Sequence, residues 1–303
     1  MELRHRLPDR PTTRFAPSPT GFLHLGHVAN AVWTWGVAQA GGGRVVLRME
    51  DHDRGRCRPE YERAILHDLE WLGLEAEPIS GRSFDGGPSA YRQSDMADRY
   101  REAVERLATV GQVYGCECSR KTIAAAVAGT EPGEELRYPG ICRDKGLALT
   151  AGRGIRVALP DRAVVFEDLR LGSMTQRPID QCGDLLLRDQ TGNWTYQLCV
   201  VVDDLAHGVD LVVRGEDILA STGRQILLGE MLGWSAPPRY LHHPLILGET
   251  GAKLSKRAQS ATLGSMRDAG RSPAEVLGLA AHLTGLLAAP DPLPASRLGD
   301  LFR

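Results

Sequence analysis

Residues 14–27, RFAPSPTGFLHLGH, decide the fold that the sequence predicts. A first strand is expected to end here, because Pro17 and Pro19 force extended backbone that stops it. From about Leu25, apolar residues recur at helical spacing until three consecutive glycines. A strand, a tight loop and a helix N-terminus therefore come one after another. This arrangement predicts an anion site, because the first turn of a helix has unpaired N–H groups and the positive end of the helix dipole.

Two histidines lie in the first turn of that helix. His24 and His27 are three residues apart, so they share a face and can offer two hydrogen-bond donors to one anion. Gly26 between them leaves room for a flat ring or a phosphate near the backbone. These residues are the first candidates for a nucleotide-phosphate site.

Two later strands are predicted to deliver charged residues to the same place. Residues 44–50, RVVLRME, are typical of a buried parallel strand with Glu50 at its carboxyl end, and a short strand at 211–213 ends at Arg214. Open α/β sheets bind ligands at the carboxyl ends of their strands. The alternation of strands and helices predicts an α/β fold with a doubly wound parallel sheet.

Other elements are assigned from periodicity and turn residues. Helices are expected at 58–73, 89–111, 119–128 and 273–286, the last with Ser272 as its N-cap. Strands are expected at 154–159 and 163–169, both within an inserted segment. A hairpin turn at 190–193 is expected to join strands at 184–187 and 195–202 that return to the core.

Three cysteines suggest a metal site. Cys116 and Cys118 are separated by one residue, and Cys142 comes about two dozen positions later, a spacing that suits thiolate zinc ligands and needs a fourth. Tyr138 is a candidate, because a phenolate oxygen can bind zinc. With four protein ligands the site would be structural. On the residues alone, three unrelated buried cysteines and a surface tyrosine are an equally good interpretation.

Composition narrows the classes of protein. The net charge of −2 gives no whole-molecule attraction to nucleic acid, so any RNA contact must use a local basic face. The longest apolar runs are too short to span a bilayer, and the first residues have no apolar signal core. Six cysteines without a secretory signal favour metal ligands or buried thiols over disulfides. We expect a cytoplasmic, monomeric protein with no membrane contact.

The sequence resembles the class I aminoacyl-tRNA synthetases. HLGH at 24–27 closely matches their HIGH signature, and KLSKR at 253–257 resembles their KMSKS signature. RFAPSPTG in front of HLGH is similar to the glutamyl and glutaminyl members. The resemblance implies a Rossmann-like catalytic domain with an inserted zinc-containing subdomain and a short helical C-terminus.

That resemblance divides the chain into four segments. Residues 1–112 would form the first half of the catalytic domain and 113–182 the inserted zinc-binding subdomain. Residues 183–262 would form the second half with the KLSKR loop, and 263–303 a helical C-terminal segment without an anticodon-binding domain.

The resemblance also implies substrates and roles. ATP with Mg²⁺ would activate an amino acid, with His24, His27, Lys253 and Lys256 as catalytic residues. The expected ATP-binding residues are His24, Gly26, His27, Lys253, Ser255 and Lys256.

Charge suggests which amino acid is bound. Glutamate has two carboxylates and one ammonium, so its pocket needs two cations and one anion, and Arg14, Arg214 and Glu50 supply them. Glutamine is disfavoured, because its neutral amide would leave a guanidinium unpaired. Tyr196 is expected to act as a neutral donor. The resemblance to the glutamyl family implies that the matching positions bind glutamate, including the backbone and Ser18 of the RFAPS segment. The expected glutamate-binding residues are Arg14, Phe15, Ala16, Pro17, Ser18, Glu50, Tyr196 and Arg214.

The acceptor is inferred from the length of chain after KLSKR. Residues 258–303 are too few for the anticodon-binding regions of glutamyl- or glutaminyl-tRNA synthetases. The chain therefore resembles the glutamyl-Q tRNA(Asp) synthetases, which transfer glutamate to the queuosine base in the anticodon of tRNA(Asp). That branch is known for a Cys-x-Cys and Tyr-x3-Cys set, here Cys116, Cys118, Tyr138 and Cys142, as zinc ligands.

Three alternatives stay open at the level of sequence. A minimal glutamyl-tRNA synthetase would charge the acceptor end of tRNA. A related enzyme would load glutamate onto a carrier protein. A non-catalytic paralogue would bind RNA or regulate a partner.

Overall fold

Strands and helices alternate along the described part of the chain. The structure is a computed structural model that describes residues 4–77, 84, 87–109, 113–127, 135–246 and 261–303. The strands are β1 (Thr12–Phe15), β2 (Arg44–Leu47), β3 (Val113–Cys116), β4 (Gly154–Val157), β5 (Val164–Asp168), β6 (Gly172–Gln176), β7 (Leu185–Arg188), β8 (Leu211–Gly215) and β9 (Arg239–His243). The α-helices are α1 (Leu25–Gly41), α2 (Pro59–Leu72), α3 (Ala97–Thr109), α4 (Arg120–Ala126), α5 (Pro178–Gln181), α6 (Tyr196–Ala206), α7 (Thr222–Met231), α8 (Leu263–Asp268) and α9 (Pro273–Leu283).

Parallel strands form the centre of the molecule. β5, β9 and β8 are neighbours in parallel, with β6 antiparallel on the outer side of β5, and β1 pairs in parallel with β2. The two groups meet where Asp210, just before β8, donates its backbone N–H to the Thr12 oxygen at 3.1 Å. The carboxyl ends of β1, β8 and β9 therefore open at one edge, which confirms the predicted α/β fold.

Helix α1 is buried along most of its length. It packs against α9 and against the 3-10 helix Ala295–Phe302. A Cβ atom on Gly36 would lie 2.2 Å from Phe302 Cε2, so the approach of these two helices requires glycine. Helix α9 begins as predicted, with the Ser272 hydroxyl accepting from the Glu275 N–H and Glu275 capping Ser272 in return.

A second, antiparallel sheet has one of the predicted zinc ligands on a strand and is called the cysteine-bearing sheet. Its strand order is β3-β4-β7, and Cys116 is the last residue of β3. The strand predicted at 163–169 differs from its sequence-based assignment. As β5 it joins the central sheet through Asp168 and Tyr240, instead of the cysteine-bearing sheet. The four segment boundaries stay a prediction.

Two of the predicted elements were wrong in kind or extent. Residues 195–202 were expected to return as a strand, but α6 begins at Tyr196, directly after the turn at 190–193. β-branched residues lower helix propensity only slightly, and this segment gains more by burying Leu198 to Val202 as a helix. The helix predicted from residue 89 begins at Ala97, after the 3-10 turn Gln93–Asp95.

Among the described helices, none is both long and apolar enough to cross a membrane.

Candidate active site

A cleft of about 590 Å³ lies at the carboxyl ends of the parallel strands. β1, β8 and β9, the loop before α1 and the first turn of α1 form its walls. Its lining among the described residues is Arg14, Phe15, Ala16, Pro17, His24, Leu25, Gly26, His27, Asn30, Glu50, Tyr196, Val213, Arg214, Gly215, Asp217, Ile218, His243, Leu245 and Ile246. Residues predicted separately for the phosphate site and for the glutamate site thus share one cavity.

The two signature histidines cap helix α1 for each other. His24 Nδ1 accepts the Gly26 N–H at 3.1 Å, and His27 Nδ1 accepts the His24 N–H at 3.1 Å. Burial lowers the pKa of His24, and burial followed by the His24 charge lowers the pKa of His27 to about 3. Both rings are therefore neutral at pH 7, and because Nδ1 accepts, Nε2 carries the hydrogen in each. Each imidazole keeps an N–H donor for a ligand at the helix N-terminus.

The His24 side chain also requires glycine at position 26, in addition to the room that a ligand needs. A Cβ atom there would lie 2.9 Å from His24 Cε1 and 3.1 Å from His24 Nδ1. Glycine therefore lets the His24 ring fold over the helix end. Gly26 also lines the cleft, as predicted for a residue beside a nucleotide.

Arg14 and Glu50 are held by a buried ion-pair network. Arg14 Nε lies 3.4 Å from Asp204 Oδ1, and Arg14 donates to the Val213 oxygen at 3.0 Å. Arg48 donates to Asp204 Oδ1 at 2.7 Å and to Glu50 Oε1 at 2.9 Å. Burial would lower the pKa of Arg48, but Asp204, Glu50 and Asp203 hold it above its ordinary value. The second Glu50 oxygen has no bond to Arg48, so the carboxylate still offers an acceptor to the cleft.

Arg214 reaches the cleft from the end of β8. It is almost fully buried and donates to His242 Nε2 at 3.0 Å, Gln225 Oε1 at 2.6 Å and Thr222 Oγ1 at 2.7 Å. A guanidinium has five N–H donors, of which these bonds use three. The remaining two can grip a carboxylate.

Four of the predicted site residues are not among the cleft lining that the structure describes. Ser18 is exposed and does not belong to the cleft lining, although Phe15, Ala16 and Pro17 do. Lys253, Ser255 and Lys256 lie outside the described residues. On either side of residues 247–260, Ile246 lines the cleft and Thr262 forms a β-bridge with His24.

Several residues that hold the site were not predicted from the sequence. They share a charged or polar side chain inside an apolar segment, a signal that such a residue has a buried partner. His243 lies on β9, where its Nδ1 donates to the Pro244 oxygen and Asn30 donates to its Nε2 at 3.0 Å. The missed residues are Asn30, Arg48, Asp203, Asp204, His242 and His243.

The predicted zinc ligands come together away from the cleft. The Sγ atoms of Cys116, Cys118 and Cys142 lie within 4.8 Å of one another. The Tyr138 hydroxyl is 3.4 Å from Cys116 Sγ and 3.9 Å from Cys118 Sγ, and it accepts the Cys142 N–H at 2.9 Å. Zn–S bonds of about 2.3 Å in a tetrahedron separate sulfur ligands by about 3.8 Å. The four side chains therefore fit a tetrahedral zinc ion, and none of them lines the cleft.

Comparisons with known proteins agree with this geometry. Residues 11–283 match the family of tRNA synthetases class I (E and Q), catalytic domain. A glutamyl-Q tRNA(Asp) synthetase of Nitratidesulfovibrio vulgaris is 41% identical over 290 residues, which cover 93% of this chain and 88% of that protein. A glutamate–tRNA ligase of Frankia casuarinae is 41% identical over 266 residues, which cover 88% of this chain and 54% of that protein.

A solved structure has the same fold. The glutamate tRNA ligase of Elizabethkingia meningosepticum, crystallised in complex with its amino acid, superposes with a TM-score of 0.77 at 27% identity. The match covers 96% of this chain and 64% of that one, so the chain spans less than two thirds of that ligase. From the family match, the identities and the shared fold, the chain belongs to the class I tRNA synthetases (E and Q).

Proposed function

We propose that this protein uses ATP to activate L-glutamate as glutamyl-adenylate and transfers the glutamate to the queuosine base in the anticodon of tRNA(Asp), acting as a monomer. The observation that carries the proposal is that Arg14, Arg214 and Glu50 line the same cleft as His24 and His27, the residues at the N-terminus of α1. The name of the Nitratidesulfovibrio relative supports the acceptor.

Activation requires little covalent chemistry from the protein. A carboxylate oxygen of glutamate attacks the α-phosphorus of ATP, and pyrophosphate leaves with the electron pair of the bond that breaks. Positioning and charge stabilisation carry such a step. The Nε2–H groups of His24 and His27 and the N-terminus of α1 would donate to the phosphates, each donor contributing about 10²–10³ in rate. Class I synthetases use Mg²⁺, which would enter on the ATP phosphates and offset their charge.

Glutamate would be selected by the charges of the cleft side chains and by where those side chains lie. Arg14 and Arg214 would bind carboxylates and Glu50 the ammonium, with Tyr196 as a neutral donor. The RFAPS backbone, including Ser18, completes the proposed glutamate site. Glutamine would leave a buried guanidinium without its anion, which is a costly mismatch.

Lys253 and Lys256, with Ser255, would complete the ATP site. Support comes from the two ends of the intervening segment, because Ile246 lines the cleft and Thr262 forms a β-bridge with His24. Cations there would neutralise the charge that develops on the leaving pyrophosphate.

Cys116, Cys118, Tyr138 and Cys142 would hold one zinc ion. Arg156 donates to Cys116 Sγ at 3.3 Å, and its Cζ atom lies 3.6 Å from the Tyr138 ring centroid, so a cation faces the anionic ligands. With all four positions filled by protein, zinc would supply cross-linking and no reaction chemistry.

Transfer of labelled glutamate tests the acceptor. The protein is incubated with ATP, Mg²⁺ and tRNA from cells that make queuosine or from cells that do not. We expect label only on the queuosine-containing pool, and we expect it to persist when the 3′-terminal adenosine has been removed from that tRNA. No label on either pool, together with no glutamate-dependent pyrophosphate exchange, would contradict the proposal.

A second candidate is charging of an acceptor end. It is favoured by the identity of 41% to the Frankia glutamate–tRNA ligase. In the same experiment, equal label on both pools that requires the 3′-terminal adenosine would establish this activity instead.

A further inference from the structure

The two arginines of the proposed glutamate site have different surroundings. Arg14 lies beside a carboxylate, with its Nε 3.4 Å from Asp204 Oδ1. Around Arg214, the described residues place no carboxylate oxygen within 4.0 Å of its nitrogens. Its donors go to an imidazole, an amide and a hydroxyl, all neutral acceptors. Arg214 is thus fixed in direction without losing its charge to a neighbouring anion.

His242 on β9 is the imidazole that orients Arg214. Its Nε2 lies 3.0 Å from Arg214 Nε, which can only donate, so Nε2 is an acceptor. The Thr222 hydroxyl, which accepts from Arg214, lies 3.2 Å from the same Nε2. The hydrogen of the neutral ring is therefore on Nδ1. His242 is completely buried, so the ring cannot exchange these partners for water.

Asp168 at the end of β5 fixes that tautomer. Its Oδ2 lies 2.7 Å from His242 Nδ1 and accepts the His242 backbone N–H at 3.1 Å. Its Oδ1 accepts the N–H groups of Arg170 and Leu171 at 3.0 and 2.8 Å. The carboxylate is completely buried and held from both oxygens. It can therefore hold Nδ1–H towards itself and leave Nε2 free to accept.

The three residues lie on three adjacent parallel strands. Asp168, His242 and Arg214 lie on β5, β9 and β8, in the order of the sheet. The Tyr240 ring stacks against His242 at an interplanar angle of 8° and lies under the Arg214 guanidinium, 5.3 Å from Cζ. The imidazole thus separates Arg214 from Asp168. A carboxylate in direct contact would have formed an ion pair and competed with a substrate carboxylate.

We propose that His242, oriented by Asp168, is a positioning residue that directs Arg214 into the cleft while leaving its positive charge available to a carboxylate of glutamate. The inference rests on the proposed function, because it takes the cleft to be a glutamate site. It assigns part of the selectivity between glutamate and glutamine to His242 and Asp168, two residues that do not line the cleft.

Steady-state kinetics of glutamate-dependent pyrophosphate exchange test the inference. His242→Leu removes the acceptor, and we expect the KM for glutamate to rise about 10- to 100-fold, the worth of one hydrogen bond to a charged group. The KM for ATP should stay within about twofold. The preference for glutamate over glutamine, as the ratio of kcat/KM values, should fall. His242→Gln keeps an acceptor oxygen at a similar reach and should restore most of the glutamate affinity.

Asp168→Asn tests the tautomer. An amide can donate to Nδ1 and so allows the hydrogen to sit on Nε2, facing the Arg214 donor. We expect a raised KM for glutamate with an unchanged KM for ATP. The amide that faces Nδ1 also loses the bond from the His242 backbone N–H, so some loss of stability is expected. His242→Gln keeps an acceptor for Arg214, and both variants keep the test valid if His242→Leu does not fold. Melting temperatures of all variants separate lost stability from lost affinity.

The proposed function and the positioning role fail in different ways. If the wild-type protein shows no exchange with glutamate, the proposed function is wrong. If the wild-type is active and the folded His242→Leu and Asp168→Asn variants keep the glutamate KM and the glutamate preference, the positioning role is overturned. An equal rise of both KM values would also overturn it, since that result indicates general damage to the cleft.

Discussion

At the scale of single residues, His24 and His27 each cap helix α1 and are each proposed to donate a hydrogen bond to the ligand. Their Nδ1 atoms accept N–H groups at the start of α1, and both residues line the cleft, with the hydrogen of each ring on Nε2. Because the pKa of His27 is lowered to about 3, its unfolded form binds a proton between about pH 3 and 6.5 that the folded form does not. Stability therefore rises with pH across that window and is lost as the pH falls through it.

His27→Gln should separate these roles. Glutamine at this position can still accept the His24 N–H, as in a capping box, so the free energy of unfolding at pH 7 should stay close to wild type. The variant no longer titrates, so its loss of stability between pH 7 and pH 5 should be smaller. Pyrophosphate exchange should fall about 10²–10³-fold, because the imidazole donor is gone. Urea unfolding at both pH values and exchange assays provide the measurements.

His27→Ala is the matched comparison. It removes the cap as well as the donor, so it should lose about 0.5–2 kcal/mol at pH 7 in addition to activity. Equal unfolding free energies for the alanine and glutamine variants would show that the cap contributes nothing.

At the scale of elements, α6 links the cleft to the buried charges beneath it. Tyr196 at its first turn lines the cleft, and Asp203 and Asp204 near its end bind the arginines of neighbouring elements. Asp203 accepts from Gln93 at 3.0 Å and from the Tyr100 hydroxyl at 2.8 Å. One helix therefore sets both a substrate contact and the positions of Arg14 and Arg48.

Arg48→Met should destabilise the protein by about 3–5 kcal/mol, because it leaves Glu50 and Asp204 buried without their shared cation. Arg99→Met is the control. Arg99 pairs with Asp203 at a partly exposed position, and Asp203 keeps Gln93 and Tyr100, so its loss should cost about 1 kcal/mol or less. Urea denaturation of both variants provides the comparison, and equal losses would refute the central place of Arg48.

At the scale of the whole molecule, the cysteine-bearing sheet and the candidate active-site cleft are separate structures. The cleft contains none of the four proposed zinc ligands among its described lining. Burial, followed by the neighbouring Cys142 thiol, raises the pKa of Cys118 to about 11. Bound zinc would reverse that, because a coordinating thiol is deprotonated.

Cys142→Ser should reduce the zinc content from about one ion per chain to well below one and lower the melting temperature. Glutamate-dependent pyrophosphate exchange, measured below that temperature, should persist, because the cleft residues are untouched. Cys182→Ser is the control, since this thiol is also buried but, among the described residues, donates to the Pro178 and Gly183 oxygens and to no other cysteine. Metal analysis that finds the same zinc content in both variants would exclude the site.

Much of the site could be predicted from local sequence. The prolines, the spacing of His24 and His27 and the helical periodicity after Leu25 each act over a few residues, and the structure has the strand, loop and helix they indicate. The wrong strand at 195–202 also has a local cause, because its β-branched residues favour strands in isolation and were outweighed by burial on the helix.

By itself, the sequence determined the α/β fold, the first loop and helix, the spacing of the cysteines and the charges that the cleft contains. Only the tertiary structure decided which charges meet. Arg48 bonds to Asp204 across 156 positions, and Asp168 bonds to His242 across 74. Such partners are chosen by how strands and helices pack, so backbone preference and periodicity, which act over a few residues, cannot reveal them.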